Sequence, residues 1–160
     1  FGSIDILVHT VGLGPIPPAR ALLWEADTAI FDRLLEINLK SAFLCCKHAV
    51  RIMLEKGRGR IFVFPPKVAL EPQPRFGVYA LSKVGLITLT NALREELKDT
   101  NITVNAVLID RMATFRTMSI PDPDVDKFVE PSEVADLLCG LCSDECDELS
   151  GSTLKVFSRL

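Results

Sequence analysis

The 160 residues contain one tyrosine, one tryptophan and two histidines, and no excess of positive charge. The net charge is -3 and the pI about 5.4. That argues against nucleic acid or an anionic membrane as the main partner, since both call for a basic face. No run approaches the ~20 apolar residues of a membrane span, and the opening residues do not read as a basic-then-apolar leader. Two histidines leave little for a metal site. The one spaced cysteine pair, Cys139-x-x-Cys142, has no second pair and no nearby histidine, so no metal is expected. It falls in an amphipathic stretch where thiols act as small core hydrophobes. Five cysteines, an odd number, with no leader fit a reducing cytoplasm. What is present is ordinary for a globular α/β chain: 48% hydrophobic and 24% charged residues. The length suits one domain, 1–160. Because the chain opens on Phe1 and runs at once into a strand-like segment, it reads as starting inside a longer protein.

Hydrophobic patterning predicts alternating elements. Ile4–Val8, Arg60–Phe64, Ile102–Leu108 and Thr153–Phe157 are short apolar runs suited to buried parallel strands. Thr28–Lys56 and Phe76–Lys98 carry apolar residues at helical spacing, and a third helix opens at Pro131. Asp27 or Thr28 is placed to cap the first helix, and Gly57-Arg58-Gly59 to end it. Strand–helix alternation implies a parallel sheet with right-handed crossovers. Gly12-Leu13-Gly14 is not a phosphate cradle, because prolines rather than a helix follow it. Ile109–Glu130 is too long for a plain connector and reads as a lid or binding loop, broken at Pro121-Asp122-Pro123.

The single tyrosine stands four residues before a lysine, Tyr79-Ala-Leu-Ser-Lys83. On a helix that spacing puts both on one face. A cation beside a phenol favours the phenolate, which suits a general acid/base near neutral pH. With eight lysines in the chain, a Lys at this offset arises by chance roughly 5% of the time, so the pair alone is a weak signal.

Its surroundings carry more weight. Asp5-Ile6-Leu7-Val8-His9-Thr10-Val11-Gly12, Ile37-Asn38-Leu39-Lys40-Ser41, Gly59-Arg60-Ile61, Tyr79-x-x-x-Lys83, Val104-Asn105-Ala106-Val107 and Ser150-Gly151-Ser152-Thr153 follow in that order. In order and spacing the chain resembles the short-chain dehydrogenase/reductase family over nearly its whole length. The resemblance implies a Rossmann-like doubly wound parallel sheet, of which this chain carries the C-terminal portion, strands four to seven. It also implies an NAD(P)-dependent oxidoreductase acting on a small alcohol or carbonyl compound, with NAD or NADP as cofactor.

Roles follow from the same resemblance. Tyr79 would be the acid/base, and Lys83 would lower its pKa and reach the nicotinamide ribose. Asn38 would hold a relay water. Val11 and Gly12 would border the adenosine ribose, and Met112 and Thr114 the carboxamide. Relatives associate through the counterparts of the two long helices, so a homodimer or homotetramer is expected. Three departures stand out. The glycine-rich phosphate turn is absent. His9-Thr10-Val11 replaces most of an Asn-Asn-Ala-Gly turn, and the later Pro-Gly is lost at Ile109-Asp110. Pro66, thirteen residues before Tyr79, occupies the position of the family's catalytic serine, with no Ser or Thr between Pro65 and Val78. The alternative reading is a family member silenced at Pro66 that acts as a dinucleotide-binding, regulatory or oligomerising protein.

Overall fold

A computed structural model describes residues 2–14, 19–119, 122–143, 146, 150 and 152–156. Residues 15–18 of the predicted loop, the Pro121 breaker, Gly151 and Phe157 lie outside them. Four strands, β1 (Ile6–His9), β2 (Arg58–Val63), β3 (Asn101–Ile109) and β4 (Thr153–Val156), form a sheet in the order β1-β2-β3-β4. Every pairing is parallel, with Leu7 beside Ile61, Ile61 beside Val104 and Val107 beside Leu154. Parallel neighbours need crossovers, and the helices supply them.

Those helices are α1 (Thr28–Leu35), α2 (Ser41–Lys56), α3 (Gly77–Glu96), α4 (Phe115–Met118) and α5 (Pro131–Leu141). Asp27 is the cap of α1, its Oδ1 accepting from Ala29 N at 2.8 Å. The chain leaves α2 at Gly57 with φ 83°, a left-handed turn that a side chain would resist. It enters β2 at once, two residues earlier than the patterning implied. The Lys56 ammonium meets the Asp5 carboxylate beside β1. Pro131 sits in the first turn of α5, where Glu130 and Glu133 form a capping box.

Strand alternation divides the core between two faces. Ile61, Val63, Ile102, Val104 and Ala106 point to one side, where Ala42, Cys46, Ala49 and Met53 of α2 and Leu86 of α3 cover them. Phe62, Val107 and Ile109 point to the other, against Val134 and Leu141 of α5. Both faces of β2 and β3 are thus covered, which is why Ile61–Val63 and Ala106–Ile109 are apolar without alternation, whereas Ile6 and Val8 on the edge strand β1 stay exposed. Cys46 is buried in the first cluster, and burial pushes its thiol up to about 11. Cys142 and Cys146 pack against the second. Cys139, by contrast, is exposed and no core residue. Among the described residues no three His, Cys, Asp or Glu side chains converge as a metal site, and no helix is long and apolar enough to cross a membrane.

The described residues of 109–130 hold more regular structure than the sequence suggested. They include α4 and a 3-10 turn at Val125–Lys127. The two ends of the stretch are clipped together, Val129 N donating to Arg111 O at 2.8 Å and Ala113 N to Val129 O at 2.9 Å. Arg111 pairs with Asp122 and lies 5.7 Å from the Phe128 ring centroid.

Candidate active site

Because the sheet is parallel, the carboxyl ends of β1, β2 and β3 open onto one edge. The segments that follow them carry Gly12, Pro66 and Met112 to that edge. Residues from α3 and from the junction of α1 and α2 complete the site.

The expected single helix over Thr28–Lys56 is interrupted at the decisive residue. Between α1 and α2, Glu36–Lys40 forms one wide turn in which Ser41 N–H reaches back five residues to Glu36 O. Such widened turns recur at functional sites. Here it carries Asn38 inward, and Asn38 is fully buried. Its Oδ1 accepts from Leu13 N at 2.6 Å, and its Nδ2 donates to Leu13 O at 3.0 Å and to Ser82 Oγ at 2.9 Å. Ser82 in turn donates to Tyr79 O at 2.7 Å. A buried amide left without partners is destabilising. This one is satisfied on both ends and ties the loop after β1 to the first turns of α3.

That helix starts just after Arg75, a non-glycine residue in the left-handed region at φ 67°. Strain of this kind needs firm support around it. Tyr79 is half-buried and packs against Ala19, Leu34 and Val78. Lys83, one turn on, is only 5% exposed. Burial disfavours its charge and pulls its pKa down from 10.5 to about 8. Its ammonium is aimed at Gly12. A Cβ on Gly12 would lie 2.6 Å from Lys83 Nζ and 3.3 Å from Asn38 Oδ1. Glycine at position 12 is therefore what lets lysine and asparagine converge over the backbone.

Of the residues singled out from the sequence, Gly12, Asn38 and Lys83 come together in this way, and Tyr79, one turn before Lys83, joins them through its carbonyl, which accepts from Ser82. Val11 is beside them but half exposed. Met112 and Thr114 belong to a separate local network after β3. Thr114 caps α4, its Oγ1 2.9 Å from Thr117 Oγ1, and Thr117 Oγ1 donates to Met112 O at 2.5 Å. Pro66 lies where β2 ends. Ile109 N donates to Pro65 O at 3.2 Å, and Pro66 bridges to Ile109. It presents a ring where the resemblance calls for a hydroxyl.

Three participants escaped the sequence reading: Ser82, Leu13 and Ser41. Ser82 carried one usable signal, a serine one residue before Lys83 on the inward side of an apolar helix. Leu13 acts through its backbone, which no side-chain pattern reveals. Ser41 faces His9, with Oγ 3.2 Å from His9 Nε2.

With this geometry in view, the comparisons agree. The family model described as short chain dehydrogenase matches residues 1–124. The 2-dehydro-3-deoxy-L-rhamnonate dehydrogenase (NAD(+)) of Sphingomonas sp. (strain SKA58) is 31% identical over 96% of this chain and 64% of its own. Dehydrogenase/reductase SDR family member 4 of Bos taurus is 28% identical over 97% of this chain and 58% of its own. Among solved structures, acetoin dehydrogenase from Enterobacter cloacae superposes with a TM-score of 0.86 at 27% identity, covering 98% of this chain and 64% of that one. A short-chain type dehydrogenase/reductase from Mycobacterium ulcerans, at 20% identity and a TM-score of 0.89, supports the fold. The chain spans about three-fifths of the length of these relatives. Its sheet, its site geometry and these matches place it in the short-chain dehydrogenase family.

Proposed function

We propose that the full-length protein is an NAD(P)-dependent oxidoreductase that interconverts a small alcohol and its carbonyl compound. The observation that carries this reading is the buried ammonium of Lys83, one helical turn from Tyr79 and converging with Asn38 over Gly12. A cation removed from water acts on its neighbours with less screening than a surface lysine. Tyr79 is the group that exchanges a proton with the substrate oxygen, and Lys83 favours its phenolate. Asn38 holds the loop after β1 in place while leaving Lys83 its position. When bound, the dinucleotide supplies or accepts the hydride. Lys83 is the residue that would hold its nicotinamide ribose, with Met112 and Thr114 near the carboxamide and Val11 and Gly12 near the adenosine ribose. The substrate is read by the loops Lys67–Arg75 and 109–130, at the strand ends where open α/β sheets bind ligands.

The pH dependence tests the role of Lys83. Its pKa is depressed by burial, so its charge is complete below about 8 and lost as pH rises through that value. Turnover of NADH or NADPH by the full-length protein is measured with a panel of carbonyl compounds, in wild type and Lys83→Met. The wild-type advantage is expected to be largest below pH 8 and to shrink above it. A wild type that turns over nothing, or an advantage that grows with pH, overturns the reading.

One observation favours a second reading. Pro66 has neither a side-chain donor nor an N–H. A protein of the same fold could then bind dinucleotide and associate without appreciable turnover. Either version includes a homodimer or homotetramer. Leu35, Leu39, Phe43, Leu89 and Ala92 line a groove of about 790 Å³ between the α1–α2 rod and α3. Phe43 and Leu81 on these helices are each about half exposed. Exposed apolar area of this kind marks association surfaces. The mass of the full-length protein in solution is expected to be a multiple of the monomer, and a monomer at micromolar concentration refutes it.

A further inference from the structure

His9 ends β1 and is 3% exposed. Nothing in the proposed chemistry uses it. Its two ring nitrogens are in different situations. Ser41 Oγ lies 3.2 Å from Nε2 and donates its own proton to Ile37 O at 2.5 Å. A hydroxyl has one proton, so toward His9 it can only accept. The ring proton of a neutral His9 is thereby assigned to Nε2, and Nδ1 keeps a bare lone pair. Among the described residues, that Nδ1 is a buried side-chain polar atom with no hydrogen-bond partner. Buried polar atoms are seldom left so.

The charged group whose field reaches His9 is Lys83, from α3. Burial first, and then this ammonium, hold the imidazole below its usual pKa, with its own backbone carbonyl opposing weakly. His9 is thus neutral at pH 7, an acceptor beside a cation. Burial is what pulls the Lys83 pKa down.

We propose that His9 is a positioning residue for Lys83: its Nδ1 lone pair accepts a hydrogen bond from one water that the buried Lys83 ammonium holds. The inference rests on the oxidoreductase reading for its purpose but not for its geometry. Ser41 fixes the tautomer, His9 presents the acceptor, and Lys83 gains a partner that does not neutralise it. A carboxylate in that place would pair with the ammonium and weaken its pull on Tyr79. A neutral imidazole steadies the ammonium and leaves its charge intact.

The test uses full-length protein labelled with 15N-histidine, the His9 signals being assigned with His9→Asn. The ring proton is expected on Nε2, with the Nδ1 resonance in the range of a hydrogen-bonded acceptor. In Lys83→Met, Nδ1 should move to the range of a free acceptor, and His9 should titrate at higher pH. A proton on Nδ1, or an Nδ1 signal indifferent to Lys83→Met, overturns the proposal. Kinetics give a second arm. In His9→Leu, the alkaline limb of the pH–rate profile is expected about one unit lower, the effect of losing one hydrogen bond to a charged group. His9→Asn, which retains an acceptor oxygen, should restore the limb. A His9→Leu profile that superimposes on wild type also overturns it. If the protein turns over no substrate, the oxidoreductase reading fails and the NMR result still decides on His9.

Discussion

Tyr79→Phe in the full-length protein is expected to lower turnover by ~10²–10⁴-fold, the usual contribution of a positioned general acid/base. The change removes one oxygen from a half-buried ring. The ring keeps its packing against Ala19, Leu34 and Val78, so the fold and dinucleotide affinity should change little. That separation makes the variant informative. Fluorescence titration with NADH or NADPH measures binding, and the rate of cofactor oxidation measures chemistry. Loss of rate with retained binding supports the proposed role. A variant within tenfold of wild type would show that another group handles the proton.

Under the silenced reading, Pro66→Ser is expected to act in the opposite direction, raising turnover by ~10²-fold or more, the typical worth of one donor aimed at a reacting oxygen. The backbone there accepts the change. Pro66 has φ -80° and ψ 160°, extended values that serine adopts freely. The neighbouring strand contact is made by Pro65 O with Ile109 N and does not depend on the proline ring. Removing a proline loosens the unfolded chain, so stability should fall by about 0.4–1 kcal/mol. The expected signature is therefore a faster, slightly less stable protein, read from steady-state rates and thermal unfolding side by side. If wild type already turns over rapidly and the serine adds nothing, Pro66 is no impairment and the silenced reading is wrong. If wild type is slow and serine restores nothing, the missing hydroxyl is not what limits it.

The two variants also separate the two readings. An active protein responds strongly to Tyr79→Phe and weakly to Pro66→Ser. A silenced one does the reverse, because with no rate to lose only the gain is visible.

Much of the architecture was legible in the residues. Four apolar runs and the helical spacing between them pointed to a parallel sheet with crossovers, because parallel neighbours need a helix between them. Tyr79 and Lys83 were legible for a similar reason: a four-residue offset on a helix is a local relation that needs no tertiary contact. The place of Asn38 in the site came only from the family resemblance. Its burial required the wide turn at Glu36–Lys40, which no residue pattern announces.

What the tertiary structure alone decided concerns environment. Lys83 is one of eight lysines by sequence. Enclosure by the fold pulls its pKa down to about 8. Gly12 looked like a spacer at a dinucleotide, yet its missing side chain is the room in which Lys83 and Asn38 meet. By sequence His9 is only part of a replaced turn, but Ser41, thirty-two residues away, uses its only proton elsewhere and leaves Nδ1 bare. Sequence governs what is near along the chain and which faces are apolar. Desolvation, the sharing of protons and the space at a backbone depend on groups that only folding brings together.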